Sequence, residues 1–449
     1  MNRLRSILIL GLLCSYPLYS YLVTTLLGVN PNYLLGLVAY VLFAEVVITK
    51  FREDENLVVP PYLILFGLFA LYVFASSLFV ADKFQEVSIV KYLYEDPFLK
   101  SFAFIFVLEN TLFHKGHIRI ALQSLFFILI IASLVTLWQV YDPLFLRSEV
   151  VGNMASIPFE RYSEYVMSLG PDYTEDVEFL AEGYRTSIYS WISGISVGLD
   201  SLAIFSILFG INEMGRIKRV IMLVCAGFIS ILSSARWIIL NFLVIVSQRL
   251  MGKPSPLFSG LKLLFGLACI IGLVGLSASL VGFNISTFIE NRLLAESAGT
   301  RIYAFKVFNQ VYFDAPIFGT GGADTPEMLQ LIQGRTSQIH VGWLKLIYYY
   351  GLVGALIYGG FVVSLLRHLY IRAKKSKYWG SFFAILAFVV ANFTLVELSP
   401  LYHGLLLALI FSRYLTNVPP ELDAMTKPTQ LKPVLHPSGT PLRRQPVEV

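Results

Sequence analysis

The chain has 449 residues, of which 56% are hydrophobic, 14% aromatic and 14% charged, with a formal net charge of +5 and a mean hydropathy of +0.69. A soluble domain carries about 25% charged residues, so this composition excludes a soluble enzyme, a disordered chain and a nucleic-acid-binding protein. The apolar residues fall in long blocks, the pattern of a polytopic membrane protein.

A bilayer-crossing helix needs about 20 apolar residues. Spans are expected over roughly 6–27, 33–49, 57–80, 98–113, 118–141, 188–210, 218–233, 236–250, 257–281, 341–366, 380–396 and 400–416. The opening Met1-Asn2-Arg3-Leu4-Arg5 resembles a signal-peptide n-region, but no small-residue cleavage site follows it, so the first apolar run is kept as a span. Cys14, Cys225 and Cys269 all lie inside apolar runs and imply neither a disulfide framework nor a metal cluster.

One set of connecting loops gathers most of the 34 basic residues: Arg3 and Arg5, Lys50 and Arg52, Lys115 and Arg119, Arg216 to Arg219, Arg249 and Lys253, then Arg367 to Lys377 and the C-terminal tail. The positive-inside rule makes that set cytoplasmic, and both termini are then inside. The expected fold is an all-α polytopic membrane protein with one transmembrane domain over 1–417. Residues 418–449 form a Pro-rich cytoplasmic tail of disordered type. Two long segments, 142–187 and 282–340, face outward. In the second, Ile302, Phe305, Phe308 and Tyr312 recur at helical spacing, predicting a helix that lies on the membrane surface or packs on the bundle. Thr325-Pro326-Glu327 reads as a helix start, with a cap, proline at the first position and an early acid, and Gly334 as its stop.

Single cations stand at the outer membrane edge. Arg185 ends the first long segment, and Arg301 follows Gly299-Thr300 at a predicted helix start. Arg236 lies inside the apolar stretch from Val220 to Leu250. As one helix that stretch would be about 46 Å long, beyond the ~30 Å hydrocarbon core, so a break near Ser233–Arg236 is expected, with Arg236 at the outer turn. His340 opens the span that begins at Val341, and Lys345 lies just over one turn further. An arginine at a span end ordinarily snorkels to headgroups, whereas charge within an apolar stretch is costly and functional by default. Asp200, Glu45 and Glu397 are acids within spans, readable as proton-relay or as packing groups. Three outward arginines suit a pyrophosphate, because guanidinium binds phosphate oxygens in a bidentate fork. A neutral histidine suits removal of a hydroxyl proton. No Asp-x-Asp stands in an outward loop and no metal-type His/Cys spacing is visible, so no metal or other cofactor is expected.

The run Gly299-Thr300-Arg301-Ile302-Tyr303-Ala304-Phe305, then Ala315-Pro316-Ile317-Phe318-Gly319-Thr320-Gly321-Gly322, then His340 and Tyr350-Gly351-Leu352-Val353-Gly354, resembles the O-antigen polymerase and O-antigen ligase superfamily. Ser233-Ser234-Ala235-Arg236 is similar to that family's Ser-x-Ser-Arg-Gly element, with Ala235 and Trp237 as departures; Arg185-Thr186-Ser187-Ile188 departs from its Arg-x-x-Gly at Ile188. The matching region is roughly 230–355. The resemblance implies a metal-independent, membrane-embedded glycosyltransferase with an architecture of the glycosyltransferase C kind. It implies an outward-facing site in a bacterial inner membrane and a donor glycan on undecaprenyl pyrophosphate. By that resemblance His340 is the general base, and Arg236, Arg301 and Arg185 hold the pyrophosphate. Lys345, Tyr184 and Tyr303 are candidate contacts to glycan or acceptor. The glycine run 319–322 is expected to bend the loop and not to touch substrate.

Two long outward segments suit an enzyme that holds two lipid-linked glycans, which favours a polysaccharide polymerase. The alternatives are a ligase acting on a lipid A core or a protein, and a secondary transporter. A chain-length regulator and a flippase are the expected protein partners.

Overall fold

The computed structural model describes residues 2–27, 31–79, 97–141, 196–212, 214–232, 236–251, 299–332, 339, 341–393 and 403–415. All regular elements among them are helical. In chain order they are α1 (Asn2–Leu27), α2 (Pro31–Arg52), α3 (Pro61–Phe79), α4 (Pro97–Glu109), α5 (Lys115–Tyr141), α6 (Ser196–Phe209), α7 (Arg216–Leu232), α8 (Arg236–Val246), α9 (Gly299–Val311), α10 (Pro326–Ile332), α11 (Gly342–Ser376), α12 (Gly380–Ala391) and α13 (His403–Tyr414). Single 3₁₀ turns follow α8 at Ser247–Leu250 and α9 at Tyr312–Asp314.

Among the described residues, four segments are long and apolar enough to cross a membrane: Tyr33–Arg52, Pro61–Phe79, Lys115–Trp138 and Gly342–Ser376. Shorter apolar helices cover Asp200–Phe209, Ile238–Leu250, Gly380–Ala391 and Gly404–Tyr414. The expected span 257–281, the segment 142–187, the tail 418–449 and Gly334 lie outside the described residues.

Local chemistry explains the helix ends. Proline opens α2, α3, α4 and α10, where its missing N–H costs nothing and its fixed φ suits the first turn. Lys50 and Arg52 close α2, and Lys374 and Lys375 close α11, where cations meet the negative end of the helix dipole. Asp54 and Lys377 adopt left-handed backbone just past those ends, a common way of stopping a helix.

Burial follows a stripe on α3: Tyr62, Leu63, Phe66, Phe69, Ala70, Val73, Ser76 and Ser77 face inward, while Ile64, Leu68 and Leu71 are exposed. Similar exposed apolar residues mark α2, α5 and α11, among them Val41, Phe127 and Leu356, as expected of surfaces that meet lipid. Aromatic side chains lock α3, α4 and α11 together. Phe66 stacks on Phe361 at 4.6 Å, and Phe69 meets Phe98 and Tyr358 edge-on, both at 5.0 Å.

Polar contacts gather the basic loops at one end of the bundle. Arg5 of α1 pairs with Glu45 of α2, Nη2 to Oε1 at 2.8 Å and Nε to Oε2 at 2.7 Å. Arg413 of α13 pairs with Glu109 of α4, whose carboxylate also accepts the Tyr62 hydroxyl of α3 at 2.5 Å. His368 of α11 packs on the Tyr62 ring. Arg249 donates to Asn212 Oδ1 at 2.8 Å, Arg219 donates to the Asn212 carbonyl at 2.9 Å, and Tyr378 donates to the Ile207 carbonyl at 3.0 Å. These bonds join the N-terminal ends of α1, α3 and α7 to the C-terminal ends of α2, α4, α6, α11 and α13, an up-and-down arrangement. The opposite end of the bundle carries α9, α10 and the start of α11.

Candidate functional site

Helix α11 is broken within its first third. Gly351 has φ 63° and ψ −171°, which no helix contains, and which is open almost only to glycine. The break strips the neighbouring backbone groups of helical partners, and the glycine run satisfies them. Thr320 N–H donates to the Tyr348 carbonyl at 3.2 Å and Gly321 N–H to the Tyr349 carbonyl at 2.8 Å. In return, Leu352 N–H donates to the Pro316 carbonyl at 3.0 Å and Val353 N–H to the Ile317 carbonyl at 3.2 Å. The remaining carbonyl, on Tyr350, accepts the Tyr72 hydroxyl at 2.9 Å, and that hydroxyl also lies 3.0 Å from the Phe318 carbonyl. Ser77 Oγ donates to the Gly321 carbonyl at 3.1 Å. Glycine is demanded on both sides: a Cβ on Gly319 (φ 72°) would stand 2.4 Å from the Tyr349 carbonyl oxygen, and one on Gly351 would stand 2.2 Å from that of Ile317. The turn therefore bends the segment that carries it, as expected, and also plugs a broken helix, which the sequence did not disclose.

Around this joint Ala304, Val307, Val311, Met328, Ile339, Val341 and Tyr348 form a small core. Helix α10 begins where predicted: Thr325 Oγ1 accepts Met328 N–H at 3.3 Å and lies 3.0 Å from the Tyr348 hydroxyl. Helix α9 also forms, and packs on α10 and α11, with Phe308 of the predicted face set against the small core. Phe305 is half-exposed, whereas Ala304, Val307 and Val311 are buried. Small side chains let the backbone approach its neighbours closely, so they take the packing face; Phe308 stacks on Tyr312 at 5.1 Å beside it.

Lys345 lies in the turn of α11 above the break, with Nζ 5.0 Å from the centre of the Tyr349 ring. The Tyr349 hydroxyl donates to Asp324 Oδ1 at 2.8 Å, which ties Lys345, Tyr349 and Asp324 into one group beside the glycine turn. Arg301 and Tyr303 sit in the first turn of α9, the helix packed against this unit. Arg236 opens α8, and α7 ends at Leu232, so the helix boundaries fall where the length argument put the break. Helix α8 packs on α6, α7 and α12, so Arg236 and Arg301 are carried by different helix groups at the same end. His340, Arg185, Tyr184 and Glu397 lie outside the described residues, as do the side chains of Arg236, Arg301 and Tyr303. Ile339 and Val341, flanking position 340, are both buried.

Of the acids expected within spans, Glu45 and Asp200 have partners. Glu45 is held by Arg5 and by Thr49 Oγ1 at 3.2 Å. Asp200 Oδ1 accepts the Gly404 N–H in the first turn of α13 at 3.4 Å, a place where a carboxylate complements the helix dipole. Three residues at this end were not anticipated. Tyr72 and Ser77 anchor the glycine turn, and Lys100, three residues into α4, is buried with its Nζ 5.4 Å from the Tyr33 ring centre. A lysine so early in an apolar run was the available signal for the last. Among the described residues no group of His, Cys, Asp and Glu could hold a metal ion. No protein-family model matches the chain, and no curated protein matches it significantly.

Proposed function

We propose that the protein is a polysaccharide polymerase with about twelve spans. It transfers lipid-linked glycan to the hydroxyl of a second lipid-linked repeat unit, at the outer face of a bacterial inner membrane. The carrying observation is the joint between the glycine turn and the break at Gly351. It fixes the outward segment, with Arg301 and Tyr303 at the head of α9 and Lys345 beside the turn, against the membrane helices at the end opposite the basic loops. In this reading Arg236, Arg301 and Arg185 hold the pyrophosphate of the donor, and His340 takes the proton of the attacking hydroxyl. The attacking oxygen forms the new glycosidic bond as the bond to the pyrophosphate oxygen breaks. Undecaprenyl pyrophosphate leaves with its charge held by guanidinium groups.

A broken helix is also a mark of secondary transporters, where exposed backbone carbonyls coordinate ions. Here the carbonyls of Tyr348, Tyr349 and Tyr350 already accept hydrogen bonds from Thr320, Gly321 and Tyr72, and Asp200 contacts a helix start. Both features weigh against an ion site at the break. The deciding experiment is chain-length analysis of surface glycan in a deletion strain. Single-repeat glycan supports a polymerase, full-length glycan left on the carrier indicates a ligase, and unchanged glycan overturns both.

A further inference from the structure

We propose a second site, at the basic-loop end of the bundle: a pocket for the phosphodiester headgroup of an anionic phospholipid in the cytoplasmic leaflet. A cavity of about 270 Å³ opens there between α11 and α13, lined by Arg372, Lys375, Ser376, Ser412, Arg413 and Leu415. Its charges do not cancel. Arg413 is neutralised by Glu109 and donates to the Leu108 and Glu109 carbonyls. Arg372 is bonded to the neutral Ser412 Oγ at 3.2 Å. Among the described residues, neither Arg372 nor Lys375 has an acidic partner. Ser412 Oγ already donates to the Leu409 carbonyl at 2.7 Å, so the donors that converge on this one opening are Arg372, Lys375 and the Ser376 hydroxyl, a set that suits a phosphate.

The surroundings select a lipid over a soluble phosphate. The cavity lies where α11 and α13 reach their basic ends, the level of headgroups, and Ile371, one turn before Lys375 on the same face, is exposed. A cationic pocket beside lipid-facing apolar surface fits an acyl chain and headgroup together, and basic pockets between helices on the cytoplasmic side are a recurrent means of binding anionic lipids.

The test uses the purified full-length protein in neutral detergent, with native mass spectrometry and unfolding temperature as readouts. Cardiolipin, phosphatidylcholine and inorganic phosphate are added separately. Cardiolipin is expected to bind and to raise the unfolding temperature, while the other two do neither. Lys375→Gln, an exposed position that leaves the fold intact, should weaken cardiolipin binding about fivefold, the weight of one basic side chain at an anionic surface. Arg372→Gln combined with it should abolish the bound lipid peak. Lys374→Gln, an exposed neighbour outside the cavity, should change nothing. Equal binding of phosphatidylcholine would mean an ordinary lipid annulus, and an equal response to inorganic phosphate would mean an adventitious anion site. An equal loss in Lys374→Gln would mean diffuse surface charge. Each of these would overturn the proposal.

Discussion

Replacing Gly351 by alanine tests the joint on which the segment 299–332 rests. The variant has two routes. If the backbone stays at φ 63°, it keeps a conformation that costs a residue with a Cβ about 1–3 kcal/mol. The new methyl must also displace the Ile317 carbonyl oxygen, 2.2 Å away, and Gly319 N at 2.6 Å. If instead residue 351 turns helical, Leu352 and Val353 recover partners inside the helix. The N–H groups of Thr320 and Gly321 then lose the Tyr348 and Tyr349 carbonyls. Both donor residues are buried, and each orphaned group costs about 1–3 kcal/mol. By either route the loss is at least about 2 kcal/mol, concentrated in 315–323. The expected result is a lower unfolding temperature in detergent together with faster protease cleavage within 315–332. Gly359→Ala is the control. Its Cβ would meet no atom within 4 Å, and alanine is worth about 1 kcal/mol over glycine within a helix. If Gly351→Ala matches the parent protein in both readouts, the joint does not hold the segment and the reasoning fails.

Glu109→Gln should destabilise by about 3–5 kcal/mol, because the half-buried Arg413 loses its counter-charge; a melting curve unchanged within error would show the pair to be dispensable. Arg236→Lys and Arg301→Lys should both insert normally yet transfer little glycan in a lipid-linked assay, since a point charge cannot replace a bidentate fork. Near-parental rates would remove the arginines from the pyrophosphate. His340→Ala should slow transfer by about 10²–10⁴-fold, the usual weight of a general base, and His340→Gln should be as poor. An active glutamine variant would reduce His340 to a hydrogen-bond donor. A cysteine at position 375 should resist an impermeant reagent in intact cells, and its labelling would invert the proposed sidedness.

Most helix positions were legible because apolar block length is a strong signal: the expected runs at 33–49, 57–80, 118–141 and 341–366 correspond to α2, α3, α5 and α11. The ends were legible where proline or cations mark them, as at Pro61 and Lys50. The break at Gly351 was not. A glycine inside an apolar run is common in membrane helices, and only its contact with Gly319, far away in sequence, makes it a break. The packing face of α9 was only partly legible for a related reason. Periodicity weighs Phe305 and Tyr312 heavily and Ala304 lightly, yet close helix approach rewards the small residue. Partners of buried charges were equally hidden, since nothing local ties Arg5 to Glu45 or Glu109 to Arg413.

The two ends of the bundle are held by different chemistry, and the difference bears on function. At the basic-loop end, cross-helix ion pairs fasten α1 to α2 and α4 to α13. At the other end residues 315–323 are fastened by backbone amides and by the hydroxyls of Tyr72 and Ser77, all neutral groups. An acid placed there to hold the loop would act as a counter-charge to nearby guanidinium groups and weaken their hold on a diphosphate. Neutral fastening fixes the segment without that cost. Asp324, the acid tied most closely to the turn, is held by the neutral Tyr349 hydroxyl. Under the proposed function, a mostly neutral anchor, with Asp324 as its one acid, leaves the arginines free to hold a dianionic leaving group through positive potential.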